Sequence, residues 1–185
     1  MTLKPETDMD GGAITEGGWP DQIHAVLKSY GVAQVPYVPD GGHARLIEQI
    51  HADPDMRAIS LTTEEEGIAV ACGAWLGGQR SAMLMQSSGV GNCINMLSLV
   101  TSCRLPFLTL VTMRGEWGEF NPWQFAMGSK VQQVFEMMDI HCLRAVCADE
   151  VAETVSAAAR MAYEGGTPVA VLLSQRLIGA KVFVK

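Results

Sequence analysis

A chain of 185 residues, 48% hydrophobic and 18% charged, has room for one core of ordinary size and is too short for two substantial ones. A formal net charge of −7 with no basic stripe speaks against nucleic-acid binding, an affinity that comes from neutralising phosphates with Lys and Arg. No run approaches the roughly 18 apolar residues of a membrane span, so a soluble protein is expected in which any anionic ligand meets a local positive site.

In chain order, residues 1–18 mix Asp, Glu, Thr and Gly without apolar periodicity or a hydrophobic run of signal-peptide length. They read as a loose extension ahead of a folded unit over 19–185. A helical pattern over 21–30, closed by Gly31, comes first. Strand 34–38, the turn Pro39-Asp40-Gly41-Gly42 and helix 43–51 follow. Next come strand 57–61, helix 64–76 closed by Gly77-Gly78, strand 82–86, a Gly-rich turn over 87–92 and helix 92–102. Strand 107–112 leads into a long loop, 114–128, carrying Trp117, Phe120, Trp123 and Phe125. Helix 129–139, strand 142–146, helix 149–163 closed by Gly165-Gly166, and strand 169–173 complete the series. Runs 108–111 and 169–173 are apolar on consecutive residues, as strands are when helices cover both sheet faces. The alternation predicts a three-layer α/β/α sandwich with a six-stranded, mainly parallel sheet.

The five cysteines, Cys72, Cys93, Cys103, Cys142 and Cys147, include no C-x-x-C pair and sit among apolar residues, which predicts reduced, buried thiols in a cytoplasmic protein. His24, His43, His51 and His141 do not join them at zinc-ligand spacing, and no metal ligands are assigned to this chain.

Ligands of such sheets sit at the carboxyl ends of the strands, which directs attention to four segments. Thr63-x-x-Glu66 fits a capping box in which Thr63 caps the helix and Glu66 reaches back. Glu65 and Glu66 read as helix-start carboxylates that complement the dipole, and Glu64 is open to the same reading; because it emerges first from its strand, it is also the one that could exchange a proton with a ligand. The 87–92 turn lacks the third glycine of a dinucleotide fingerprint and the Lys of a P-loop, and reads as a tight turn or a close backbone approach to a ligand. Asp40 and His43 are either a turn and a helix-start His or a proton-handling pair. Arg114 is either a surface arginine or the leading cation for a substrate's anionic group, with Lys130 behind it. The aromatic segment 117–125 reads as packing, with subunit interface or lid as its functional alternatives.

The run Glu64-Glu65-Glu66-Gly67-Ile68-Ala69-Val70-Ala71-Cys72-Gly73 resembles the pyrimidine-domain signature of thiamine-diphosphate decarboxylases, in which a glutamate stands nine residues before a helical glycine. Met85-Gln86-Ser87-Ser88-Gly89-Val90-Gly91-Asn92 is similar to the Met-Gln-Asn-Ser-Gly-Leu-Gly-Asn segment of sulfopyruvate and phosphonopyruvate decarboxylases, departing at Ser87 and Val90. Val38-Pro39-Asp40 resembles the first loop of the phosphonopyruvate enzyme. The likeness spans about residues 20–175.

This resemblance implies that Glu64 is catalytic, hydrogen-bonding N1′ of the cofactor's aminopyrimidine and favouring its imino tautomer. It implies that Gln86, Ser88, Gly89 and Asn92 border the cofactor, and that Asp40, Gly41 and His43 border the substrate, with Arg114 on its distal anion. Complete enzymes of the family carry a second domain whose Gly-Asp-Gly and Asn hold Mg²⁺ and the diphosphate. Here only Asp10-Gly11-Gly12 and Asp40-Gly41-Gly42 approach that pattern. The resemblance therefore implies a beta subunit carrying the diphosphate-binding domain, in a hetero-oligomer with at least two copies of each chain. The expected reaction is 3-sulfopyruvate to sulfoacetaldehyde plus CO2. The alternatives are a phosphonopyruvate decarboxylase subunit, a catalytically silent scaffold, or an unrelated flavin or nucleotide binder.

Overall fold

A computed structural model describes residues 18–179. The expected extension over 1–18 lies outside them except for Gly18, as do Asp10-Gly11-Gly12.

Helix α1 (Trp19–Ser29) starts with Pro20 in its first turn and leads into β1 (Val32–Tyr37). After one turn of 3₁₀ helix over Gly41–His43 come α2 (Ala44–Ala52), β2 (Arg57–Ser60) and α3 (Glu64–Leu76). Strand β3 (Arg80–Gln86) feeds a second 3₁₀ turn, Ser87–Gly89, then α4 (Val90–Cys103) and β4 (Leu108–Thr112). The chain ends through α5 (Pro122–Gly128), α6 (Val131–Met137), β5 (His141–Ala145), α7 (Ala148–Tyr163), β6 (Val169–Leu173) and α8 (Gln175–Ile178).

All five strand pairings are parallel, in the order β2-β1-β3-β4-β6-β5. The expected three-layer sandwich is the observed fold. Alternation along the central strands shows why they are apolar throughout. Ala82, Leu84, Leu108, Leu110, Val169 and Val171 face a core shared with α1, α2 and α7. Met83, Met85, Val111, Ala170 and Leu172 face the opposite core, shared with α3, α4 and α6. A strand buried on both faces cannot alternate polar with apolar. Helix α7 meets the first core through Val151, Val155, Ala158, Ala159 and Ala162, a helical stripe at i, i+4, i+7, i+8 and i+11.

Three local expectations are corrected. Segment 114–128 is not all loop, because Asn121 caps a helix through Trp123 N–H and Pro122 opens it. The cysteines are not uniformly buried: Cys72 and Cys93 are, whereas Cys103 ends α4 and Cys147 precedes α7, both exposed. The start of α3 is not a Thr63 capping box, since Thr63 makes no side-chain cap bond. Instead Glu66 accepts from Thr62 N–H at 2.9 Å and Thr62 Oγ1 at 2.8 Å, which holds its pKa below 4.5. Among the described residues no helix is long and apolar enough to cross a membrane.

The connection β1→β2 runs to one side of β1, and the next crosses back over it to β3. The switch in direction therefore lies between β1 and β3, where doubly wound sheets open a crevice at their carboxyl ends.

Phe135, 0% exposed in the second core, should cost about 3–5 kcal/mol of stability when replaced by Ala. Trp123, 79% exposed, should cost less than about 0.5 kcal/mol on the same change. Denaturant unfolding of the two variants, followed by circular dichroism, checks the pair.

Candidate active site

Thr63 is extended, at φ −147° and ψ 153°, and delivers three glutamates into the first turn of α3. The turn sorts them. Glu65 and Glu66 are exposed, while Glu64 points inward and is 9% exposed. Its carboxylate lies against the backbone of Gly89, so close that a Cβ there would stand 2.2 Å from Oε1. Only glycine leaves that space. Asn92, in the first turn of α4, donates from Nδ2 to Oε2 at 2.8 Å, and Oε1 has no hydrogen-bond partner among the described residues. The neighbouring Cys93 thiol is pushed up to about 12, chiefly by burial and then by the charge of Glu64.

A second cluster spans the crevice between β1 and β3. Asp40, following β1, accepts at Oδ1 from Gln86 Nε2 at 3.2 Å. Its Oδ2 accepts from Gly42 N–H at 3.1 Å and from Thr112 Oγ1 at 2.6 Å. Ser88 Oγ donates to Gln86 Oε1 at 2.6 Å, which orients the amide so that its NH₂ faces Asp40. Residues at the carboxyl ends of β1, β3 and β4 are thus joined at one edge of the sheet. Gly41 contributes backbone alone, exposed at the start of the turn that Asp40 caps.

Two expected substrate residues are buried and engaged with protein groups. His43 is 1% exposed, its Nε2–H donating to the Leu110 carbonyl at 3.2 Å while Nδ1 has no partner. Burial lowers its pKa below 6.5. It ends the 3₁₀ turn as a buried group held toward its neutral form. Arg114 is 7% exposed and already paired: Nε and Nη2 meet the two Glu119 oxygens at 2.6 and 2.7 Å. That fork is closed on Glu119, which gives Arg114 a structural partner; receiving a substrate's anion there requires the pair to open. Lys130, which precedes α6, is exposed.

Glu119 organises the whole segment before α5. Besides Arg114 it accepts from the N–H groups of Gly115, Phe120 and Asn121 and from Gln175 Nε2. Chiefly through the Arg114 contact, its pKa is lowered to about 2. Gln175 is 0% exposed and accepts at Oε1 from both Glu116 and Trp117 N–H. Gly115, at φ 76°, lets the chain double back against the Gln124 carbonyl, where a Cβ would lie at 2.3 Å. The segment is therefore a braced platform beside the Ser87–Gly89 turn, tied to it by Arg114 N–H donating to Ser87 Oγ at 3.1 Å. Trp117, Phe120, Trp123 and Phe125 are 46–79% exposed and belong to neither core cluster; the Arg176 guanidinium lies over the Trp117 ring. A separate cleft of about 300 Å³, bordered by Glu116, Gln132, Glu136 and Arg144 among others, shares no residue with either cluster. Among the described residues no group of three or more His, Cys, Asp or Glu is arranged to hold a metal ion.

Sequence reasoning passed over Thr112, Glu119 and Gln175. The one available signal was positional: Thr112 is a small polar residue ending an apolar strand at the ligand edge.

No family model matches the chain. It is 33% identical over 154 residues to the sulfopyruvate decarboxylase subunit alpha of Methanococcus maripaludis, covering 83% of this chain and 92% of that one. The corresponding subunit of Methanothermobacter thermautotrophicus is 32% identical, with 93% of it covered. The phosphonopyruvate decarboxylase of Streptomyces viridochromogenes is 37% identical over 118 residues, 63% of this chain and 30% of that enzyme. Among solved structures, a 2-oxoglutarate:ferredoxin oxidoreductase from Magnetococcus marinus superposes with a TM-score of 0.72 at 14% identity, over 87% of this chain and 29% of that one.

Because its folded-state pKa is depressed, Glu119 contributes stability above its ordinary value of 4.5, and that contribution is lost as pH falls toward about 2. The protection of the 114–121 amides against hydrogen exchange, taken relative to the intrinsic rate at each pH, should therefore fall between about pH 4.5 and 2, ahead of the sheet. In Glu119→Gln the same amides should exchange fast at neutral pH, with no acid step in this window.

Proposed function

The chain belongs to the sulfopyruvate decarboxylase alpha-subunit family, and on that premise we propose that it is the pyrimidine-binding subunit of a thiamine-diphosphate-dependent decarboxylase that converts 3-sulfopyruvate to sulfoacetaldehyde and CO2. The observation that carries the reading is the seat of Glu64. One carboxylate oxygen is pinned by Asn92, and the other lies over a bare glycine backbone without a partner among the described residues. Such a carboxyl fits a heteroaromatic ring nitrogen that must be met by a fixed hydrogen bond. It sits at a helix start beside the crevice of a doubly wound sheet. A subunit that had become a silent scaffold would have no need of it.

When bound, thiamine diphosphate supplies the nucleophilic carbon that adds to the 2-oxo group and the electron sink that makes loss of CO2 feasible. This chain supplies placement and proton handling. With the cofactor bound, Glu64 would hold the ring nitrogen by a hydrogen bond through Oε1, while Asn92 keeps Oε2 from turning away. The 87–92 turn brings its backbone, with Gly89, against the cofactor, and Gln86 and Ser88 line the approach. Asp40 stands at the substrate side of the crevice and moves a proton at Oδ1. Mg²⁺ and the diphosphate are held by a beta subunit, which the resemblance and the subunit naming of the relatives support. The exposed aromatic platform is the surface proposed for that subunit, since aromatic side chains are enriched in interface cores. The substrate reading is supported by the sulfopyruvate subunits, which the chain covers to 92% and 93%; the 30% share of the phosphonopyruvate enzyme is matched by another sulfopyruvate decarboxylase, so that share speaks to a two-chain organisation and not to the substrate.

Three outcomes are expected of the purified chain and its partner. Alone, the chain folds and does not turn over; with the beta subunit, cofactor and Mg²⁺, it decarboxylates sulfopyruvate in preference to phosphonopyruvate. Turnover by the chain alone contradicts the two-chain reading. In the assembled enzyme Glu64→Gln should stop hydrogen–deuterium exchange at C2 of the bound cofactor, whereas Glu65→Gln leaves it unchanged; the reverse result shifts the register by one residue.

With Arg114 closed onto Glu119, Arg114→Ala should impair sulfopyruvate and pyruvate turnover alike. Lys130→Ala distinguishes the remaining sources of charge for the sulfonate. Loss on sulfopyruvate of roughly 10- to 150-fold with pyruvate spared assigns the contact to Lys130. Equal activity on both substrates assigns it to the partner.

A further inference from the structure

Thr112 is the last residue of β4 and is 2% exposed. Its hydroxyl has two acceptors in reach, Asp40 Oδ2 at 2.6 Å and the Met85 carbonyl at 3.4 Å. One proton cannot serve both at full strength, and the short contact to a carboxylate is the stronger by both distance and charge. Threonine is also stiff at χ1 in a strand, so the strand itself aims the hydroxyl. The methyl of the same side chain packs against Gly42, where a Cβ would stand 2.8 Å from Cγ2. That close approach brings Gly42 N–H onto the same Asp40 oxygen.

The two Asp40 oxygens are consequently unequal. Oδ2 is clamped by two donors, from β4 and from the turn after β1. Oδ1 has one longer contact, 3.2 Å from Gln86, whose amide is itself oriented by Ser88. We propose that Thr112 is a positioning residue of the decarboxylase centre, clamping Asp40 Oδ2 so that Oδ1 is presented to the reacting substrate. The proposal rests on the reading of Asp40 as a substrate residue. Thr112 acts through Asp40 and has no contact of its own with substrate. An Asp40 side chain free to rotate would spend its time in geometries from which no proton reaches the substrate, and positional errors of about 1 Å cost roughly a hundredfold in rate.

The test uses the assembled holoenzyme carrying Thr112→Val, Thr112→Ser, Asp40→Ala, and Thr112→Val combined with Asp40→Ala. Thr112→Val keeps shape and burial and removes the proton. It should lower kcat by roughly ten- to a hundredfold with KM nearly unchanged, and displace the acid limb of the kcat/KM pH profile. Thr112→Ser should restore most of the activity. In the Asp40→Ala background the Val substitution should add no further loss of residual turnover, because the two residues act as a unit. Wild-type kcat in Thr112→Val beside a crippled Asp40→Ala enzyme overturns the role of Thr112 alone. Wild-type activity in Asp40→Ala overturns the site reading and this proposal with it. Equal impairment of Val and Ser, or an additive loss in the double variant, reduces Thr112 to packing and also overturns it.

Discussion

The site depends on a contact that a single methyl group would abolish. The Glu64 carboxylate occupies the volume that a Cβ on Gly89 would fill. That contact requires α3 to start directly after β2 with its first side chain turned inward, and the turn after β3 to pass beneath it. It also requires α4 to begin at once, so that Asn92 reaches Oε2. A parallel sheet whose direction switches between β1 and β3 brings these pieces together. Burying a carboxylate is costly unless its lone pairs are answered. Asn92 answers one oxygen, and the cofactor is the proposed answer to the other.

Around this seat the chain spends its charges on rigidity more than on recognition. Arg114 and Glu119 close on each other, and Glu119 gathers three backbone N–H groups and the amide of Gln175 besides. Arg144 closes on Glu116, whose other oxygen takes Ser174 Oγ and Gln175 N–H. The segment between β4 and α5 is in this way fastened to the end of β6. Its aromatic side chains are offered outward from a fixed base, which suits docking against a partner better than opening and closing over a substrate. A preorganised surface loses less conformational entropy on association.

Most of the fold was readable because its signals are local. Helix α3 and strand β6 match their expected bounds, each set by a sharp change in pattern: three glutamates after a strand in one case, an unbroken apolar run in the other. Ends marked by weaker punctuation, such as α4 and α6, moved by up to two residues. The site was only partly readable, for a different reason. Glu64, Gly89 and Asn92 lie near one another because of topology, and the sequence marked them by family likeness. The fates of Arg114 and His43 depended on neighbours that spacing does not announce. Glu119 lies five residues from Arg114 through an irregular path, and a 3₁₀ turn, in place of a helix start, carries His43 into the core. Thr112 carried only a positional signal, because its partner, Asp40, is 72 residues away in the chain.

The claim on which the whole account turns is that Gly89 is a floor for the Glu64 carboxylate. Replacing Gly89 by Ala in the assembled enzyme tests it with the smallest possible change, since Gly89 has φ −69°, a backbone conformation open to alanine. The measurement is sulfopyruvate turnover, taken alongside subunit assembly and thermal unfolding. The account predicts a protein that assembles and melts much as the parent does, with turnover reduced by roughly a hundredfold or more because Glu64 is displaced by an ångström or so. Parental turnover in Gly89→Ala would show that the carboxylate needs no such floor, and would contradict it.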